Sequence, residues 1–410
     1  MKDSSLKSFL TCIGVKKIYA NFSQKKYDRK VAREQKKNRP DRWYFTFLPI
    51  KKNKIVFDNF MGKGYGGDPK AIVEEIIRQN LNWDLVWLTK GHVEMPASIR
   101  QVEYGSIKAM RELATSRIWV FNTRSVKHPK KKKNQVYVHT WHSAFPFKLI
   151  EKQVEDRLNE SYVRAAKKDG EICDAVVSGS SVLSEVYEKY FWLNDKAQIL
   201  EYGAPSNDVL FDSDKHAIFN SSIRKLYGIP DSAKVVLYMP TFRDDGSVDC
   251  YDLDYNRIIN TFEKKFNKSF YLLIRFHPNV KTDNLFEEKN NIINVTSYPE
   301  ANELHAVADY LISDYSGVIF DFALLKKPVF IYAKDYDIYR TARGFNEYYN
   351  KLPFPIAYTN EDLEQNIMNF DETDCLNKWK QYMKDIKVFG NGTASKKVVK
   401  WLISVRLNKE

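Results

Sequence analysis

Between Lys54 and Tyr332 the chain repeats one pattern: a short apolar run, a polar turn, then a stretch with helical spacing. The first set of runs covers residues 54–59 (KIVFDN), 84–88, 117–122, 136–140 and 175–178. After Tyr202-Gly203-Ala204-Pro205 the pattern restarts at 235–239, 270–276, 291–295, 310–313 and 329–332. Apolar runs bounded by turn residues and separated by helical stretches predict buried, parallel strands. The expected fold is α/β: two facing, Rossmann-like, doubly wound domains joined near residues 200–205. Helices are expected from Asp68-Pro69 to Gln79, where Pro suits the first turn, and over 107–116, 151–170 and 376–406. A chain of 410 residues exceeds one ordinary core and suits two domains of about 150–200 residues each. The expected divisions are an arm (1–42), a first domain (43–200), a second domain (201–375) and C-terminal helices (376–410).

The net charge of +13 is unevenly placed. Residues 1–42 hold 13 Lys/Arg against 4 Asp/Glu, which leaves +4 for the remaining 368. Leu6, Phe9, Leu10, Ile13 and Ile18 fall roughly on one helical face, so this arm is expected to be basic, amphipathic and membrane-associating. Cations beside an anionic membrane surface contribute about 1 kcal/mol each, enough for reversible attachment. A second cationic knot, 124–133, carries six Lys/Arg and no acid. A solvated helix or nucleic-acid binding is the alternative use of such charge. The longest early apolar run, 9–15, falls well short of the roughly 20 residues of a spanning helix. It leads into Lys16-Lys17 with no small-residue cleavage site. The expected location is therefore peripheral, on the cytoplasmic face of the membrane. Cys12, Cys173, Cys250 and Cys375 form no CxxC pair, so neither a zinc knuckle nor a disulfide framework is expected.

In open parallel sheets, ligands bind beyond the carboxyl ends of the strands, and polar residues gather there in this chain. His139-Thr140-Trp141-His142-Ser143 follows an apolar strand. Residues three apart on an extended strand face opposite sides, so one of the two histidines enters the cleft. His142, further into the loop, is the candidate. An imidazole with an ordinary pKa of about 6.5 accepts a proton near neutrality; a hydrogen-bonded structural histidine is the alternative. Arg275-Phe276-His277-Pro278 ends another strand, with cation and ring suited to phosphate oxygens or to a strand-end ion pair. At Ser313-Asp314-Tyr315-Ser316-Gly317 a strand turns into a helix whose N–H groups suit an anion or a simple N-cap. Thr241 and Arg243 bring a hydroxyl and a cation to a fourth strand end. The glycine run 62–67, with Gly64 and Gly66, lacks the Walker spacing. It either admits a phosphate close to the backbone or makes a tight turn. Asp252-Leu253-Asp254 and Asp335-Tyr336-Asp337 have the form of DxD metal sites, a match that arises easily by chance. No metal and no cofactor is expected.

In this order the motifs resemble the CDP-glycerol glycerophosphotransferase family of teichoic acid and capsule synthesis. The resemblance runs through NKIVFDNFMGKGYGGDPK (53–70), NQVYVHTWHSAFPFK (134–148), YGAPSND (202–208), YMPTFRDD (238–245), RFHP (275–278) and the long block 312–345. It implies a GT-B-like fold with the active site between the domains. The first domain would meet a membrane-bound acceptor and the second would bind the CDP-polyol. The resemblance places the essential histidines at His142 and His277 and the pyrophosphate cradle at Ser316 and Gly317, in the turn holding Asp314. Arg275, Thr241, Arg243, Asn207, Asp208, Gly64 and Gly66 complete the expected substrate-binding set. One departure stands beside His142. The family usually reads Trp-His-Gly-Thr-Pro, and this chain has Trp141-His142-Ser143-Ala144-Phe145-Pro146, a reshaped loop where acceptor or polyol would be selected.

The resemblance implies transfer of glycerol phosphate, or a related polyol phosphate, from CDP-glycerol to a hydroxyl of a lipid-linked acceptor, with release of CMP. Two other readings stay open: a sugar transferase of the same fold using a nucleotide sugar, and a non-catalytic basic protein binding membrane or nucleic acid. The polar residues at strand ends argue against the last, since surface binding needs no cleft. Nucleic acid is not an expected partner, and homo-oligomerisation is left open.

Overall fold

The computed structural model describes residues 45–125, 127–143, 145–243, 246–277, 280 and 289–407. The basic arm expected over residues 1–42 lies outside the described residues. The first sheet is formed by β1 (Lys51–Asp58), β2 (Asp84–Thr89), β3 (Ile99–Glu103), β4 (Ser116–Phe121), β5 (Val136–His139), β6 (Ala175–Val177) and β7 (Gln198–Leu200). Its order is β3-β2-β1-β4-β5-β6-β7, parallel throughout. The second is formed by β8 (Lys234–Met239), β9 (Phe270–Ile274), β10 (Ile292–Asn294), β11 (Tyr310–Ser313), β12 (Val329–Tyr332) and β13 (Ile356–Ala357). Its order is β10-β9-β8-β11-β12-β13, again parallel. In each sheet the winding reverses beside the first strand, at β1/β4 and at β8/β11. Those are the crevices where an open parallel sheet receives a ligand.

The apolar runs mark all the central strands and the edge strand β10. β3, β7 and β13 escape that reading. β3 turns Ile99 and Val102 inward and leaves Arg100 and Glu103 exposed, an edge pattern without a continuous apolar run. β7 and β13 hold three and two residues. Two expected helices are broken. Residues 151–170 divide into a 3-10 turn, Glu151–Arg157, and a helix, Glu160–Ile172, that Asn159 caps through Ser161 N. Residues 376–406 divide into parts of Glu372–Asp385 and Ala394–Leu407. The first packs Trp379 and Tyr382 into the core of the second sheet. The second returns to the first sheet, placing Val398, Val399 and Leu402 beside Ile55 and Phe57. No helix among the described residues is long and apolar enough to cross a membrane.

The chain passes between the sheets at residues 202–207 and again at 389–393. Gly203, at a φ of 93°, sits where a Cβ would come within 2.7 Å of Gly390 Cα, so the crossing needs glycine. Polar ties secure it. Asp208 accepts from Ala394 N and Ser395 N at 2.8 and 2.7 Å. Asp68 accepts from Ser206 N at 2.8 Å, and Asp321 from Asn207 Nδ2 at 2.6 Å. Lys70 reaches across to Glu300 at 2.6 Å. Burial pushes the carboxyl of Asp68 up to about 6 and that of Asp321 up to about 7. A raised folded-state pKa favours folding below the ordinary carboxylate range, and that contribution is lost as pH rises through the raised value. Asp321→Asn keeps an acceptor for Asn207 and removes the titration. Its melting temperature should therefore gain on that of the parent chain as pH rises from about 4 to about 8; a pH-independent difference would contradict the burial argument.

Candidate active site

A cleft of about 540 Å³ opens between the sheets, lined by the segments that follow β5, β8, β9 and β11. His142 stands on the first-sheet wall. Its Nδ1 lies 3.0 Å from the carbonyl oxygen of Asn122, the residue after β4. A carbonyl only accepts, so Nδ1 carries hydrogen and the neutral ring keeps its lone pair on Nε2. The imidazole faces the cleft yet is ringed by protein. That desolvation, with a smaller push from Lys148, holds its pKa below the usual histidine value despite the hydrogen bond to Asn122. His139 is wholly buried. Its Nδ1 accepts from Trp141 N at 2.9 Å, and its ring packs among Tyr137, Trp141 and Phe191. Of the two histidines, His142 lines the cleft and His139 belongs to the core.

The loop after His142 crosses into the other half. Phe145 stacks on Phe320 with centroids 5.1 Å apart, Phe147 meets the ring of Tyr349, and Asn346 N donates to Phe147 O at 2.8 Å. Ser143 Oγ donates to Phe145 O at 2.6 Å. A Cβ on Gly317 would come within 2.9 Å of that Oγ, so the altered loop rests directly on the turn at Ser316 and Gly317.

On the second-sheet wall, Arg275 Nη2 donates to the carbonyls of Tyr298 and Pro299, both at 3.2 Å. Its Nε is buried and has no partner among the described residues. His277 is exposed to the cleft, with its ring 5.3 Å from that of Phe242. Desolvation first, then Lys63, Lys148 and Arg275, lower its pKa. Thr241 is locked by its backbone, N donating to Asp314 Oδ1 at 2.9 Å and O accepting from Tyr251 at 2.9 Å. Its Oγ1 is buried and without a partner among the described residues. Ser316 and Gly317 line the cleft ahead of a helix, Val318–Ala323, of only six residues, so the macrodipole there is small.

Other expected binding residues stand outside the cleft lining. Arg243 and Asp314 lie beneath it, paired at 2.9 Å, while Arg243 also bonds Asp335 and sits over the rings of Tyr315 and Tyr339. Their polar atoms are engaged in holding Thr241 and the Tyr315 turn. Asn207 and Asp208 tie the interdomain crossing. Gly64 accepts from Trp87 Nε1 at 3.1 Å, and Gly66 precedes the helix Gly67–Arg78. The two DxD segments are also engaged: Asp252 pairs with Lys334 and Tyr332, Asp254 caps the helix Tyr255–Phe266, and Asp335 holds Arg243. Among the described residues, no group of three or more His, Cys, Asp and Glu is placed to hold a metal ion. Cleft-lining Phe60, Lys148, Asp321 and Arg343 were not expected, nor was Asn122, which orients His142. The strand-end rule that marks His142 applies equally to Asn122.

A family model described as CDP-Glycerol:Poly(glycerophosphate) glycerophosphotransferase matches residues 43–404. The chain belongs to this family. It is 30% identical over 352 residues to the teichoic acid poly(glycerol phosphate) polymerase of Staphylococcus epidermidis, covering 83% of this chain and 48% of that one. It is 30% identical over 346 residues to the teichoic acid glycerol-phosphate transferase of Staphylococcus aureus, covering 80% and 88%. The chain thus spans about half the length of the first relative and most of the second. The solved wall teichoic acid polymerase TagF superposes with a TM-score of 0.78 at 28% identity, over 92% of this chain and 97% of that one. Two paired parallel sheets, as in TagF, make the α/β architecture GT-B-like. TagF has also been solved as a histidine-to-asparagine variant soaked with CDPG.

The ion pair beneath the cleft supplies a test of the placement of Arg243. Removing one partner of a buried pair leaves an uncompensated charge, at a cost of about 3–5 kcal/mol. Arg243→Ala should lose stability on that scale in denaturant unfolding, with Asp314 stranded at 3% side-chain exposure. A loss confined to substrate affinity would return Arg243 to the cleft.

Proposed function

We propose that this chain transfers glycerol phosphate from CDP-glycerol to an acceptor hydroxyl and releases CMP. The observation that carries the reading is His142, neutral and basic at Nε2, sharing one cleft with Arg275 and His277 from the opposite sheet. The acceptor oxygen attacks the β-phosphorus while Nε2 of His142 takes its proton. The bond from that phosphorus to the bridging oxygen breaks, and the electron pair leaves with CMP. Arg275 Nε and Thr241 Oγ1, both buried and unpartnered among the described residues, are donors suited to the phosphoryl oxygens, with His277, Ser316 and the Gly317 backbone beside them. A hydrogen bond to a charged group contributes about 1.5–3 kcal/mol, so a few such contacts supply much of a barrier reduction.

The first sheet, with His142, serves the acceptor, and the second binds the CDP-polyol. The acceptor is lipid-linked, in keeping with the teichoic acid relatives and with the +9 carried by residues 1–42. That charge would hold the enzyme peripherally at the cytoplasmic face of an anionic membrane.

The test is CMP release from CDP-glycerol in the presence of lipid acceptor, with CDP-ribitol as the competing donor. His142→Ala should lower kcat by about 10²–10⁴-fold, the usual worth of a general base. The neutral ring is the active form, so activity should fall as pH drops, on a limb with its midpoint below about 6.5. Full turnover by His142→Ala would overturn the assignment.

A further inference from the structure

The glycine-rich segment after β1 brings an aromatic side chain to the base. Phe60 and Met61 take left-handed φ values of 46° and 56°, a region that bulky side chains rarely adopt. Each is 39% exposed although apolar. Such backbone persists only where its surroundings over-determine it, and it gathers at functional sites. The restraints here are explicit. Phe60 N donates to Asn122 Oδ1 at 2.8 Å, Gly62 N to Asp58 Oδ1 at 2.7 Å and Lys90 N to Gly62 O at 2.8 Å. Asn122 Nδ2 donates to Asn59 Oδ1 at 2.7 Å, and Asn59 Nδ2 in turn to Lys63 O at 2.9 Å.

Asn122 thus works in two directions. Its side chain holds the peptide of Phe60, and its carbonyl holds Nδ1 of His142. The Phe60 ring consequently lines the cleft with its centroid 5.3 Å from that of His142. A tight turn alone would not require an aromatic ring there, exposed and beside a cleft-lining imidazole whose Nε2 is set to accept a proton.

We infer that Phe60 is the acceptor platform: its ring contacts the C–H face of the hydroxyl-bearing polyol unit and seats that hydroxyl against Nε2 of His142. The assignment rests on the transfer reaction proposed above. An aromatic face suits a polyol or sugar carbon edge, and the ring also keeps water from one side of His142. Asn122 is the positioning residue, since it holds platform and base in a single register.

Phe60→Ala should raise KM for a lipid acceptor ending in glycerol phosphate by about tenfold, the scale of one lost aromatic contact. KM for CDP-glycerol should change by less than about twofold, since the ring faces the acceptor side. Phe60→Trp should restore the acceptor KM. The acid limb of Phe60→Ala should shift upward, because water admitted to His142 raises its pKa. Asn122→Ala keeps the carbonyl on His142 and removes the side-chain hold on Phe60, so acceptor KM should rise while kcat changes much less. An acceptor KM unchanged by Phe60→Ala, or acceptor and donor KM rising in step, would overturn the platform while leaving the transfer reaction intact. Absence of CMP release by the parent chain would instead overturn the transfer reaction, and the platform with it.

Discussion

The cleft exists because two phenylalanines from one half are buried in the other. Phe145 and Phe147 follow His142 by three and five residues, and both enter the core packed against β8, β11 and β12. Full burial of such side chains contributes roughly 1.5–3 kcal/mol each. That anchorage draws the His142 loop across the gap and sets it on the turn at Ser316 and Gly317. With the ties at the crossing, that packing sets His142 on one sheet opposite Arg275 and His277 on the other. Their relative placement comes from core packing rather than from any polar contact between the reacting groups.

Beneath this surface, the polar residues divide into those that line the cleft and those that hold them. Arg243 satisfies Asp314 and Asp335 at once and is flanked by Tyr315 and Tyr339. Asp314 spends one oxygen on Arg243 and the other on the backbone of Thr241 and Tyr315. Thr241 is left with a locked backbone and a hydroxyl uncommitted among the described residues. On the facing sheet Asn122 fixes His142 by a carbonyl and Phe60 by an amide oxygen. In both walls a saturated residue orients an unsaturated one, and the unsaturated one faces the cleft. Preorganised donors of this kind need little rearrangement as charge develops.

Much of the fold was legible because the central strands of parallel sheets are apolar throughout and stand out as runs. The edge strand β3 and the short β7 and β13 were not, since a half-exposed or two-residue strand leaves no such mark. The strand-end rule marks His142, Arg275 and His277, which line the cleft, but it does not separate a residue lining the cleft from one lying under it. Arg243 and Asp314 obey it and lie paired beneath the cleft. Asn207 and Asp208 carry the polarity of a binding loop and instead tie the halves together. Phe60 and Phe145 escaped for the opposite reason: an aromatic in a loop reads as core until its partners are known.

On the proposed reaction, the electrostatics of the cleft would join donor binding to proton transfer. Desolvation is the main cause that lowers the proton affinity of both histidines; Lys148 adds to it at each, and Lys63 and Arg275 add further at His277. The same cations attract a diphosphate. An anion seated among them offsets their field, so the proton affinity of the imidazoles rises when the donor is bound. In the proposed reaction His142 would then be neutral in the empty cleft and more basic once the donor is in place. A base placed by a backbone carbonyl, rather than by a carboxylate, has no strong local partner to mask that change. It therefore answers to the charge that a bound anion brings as well as to its burial.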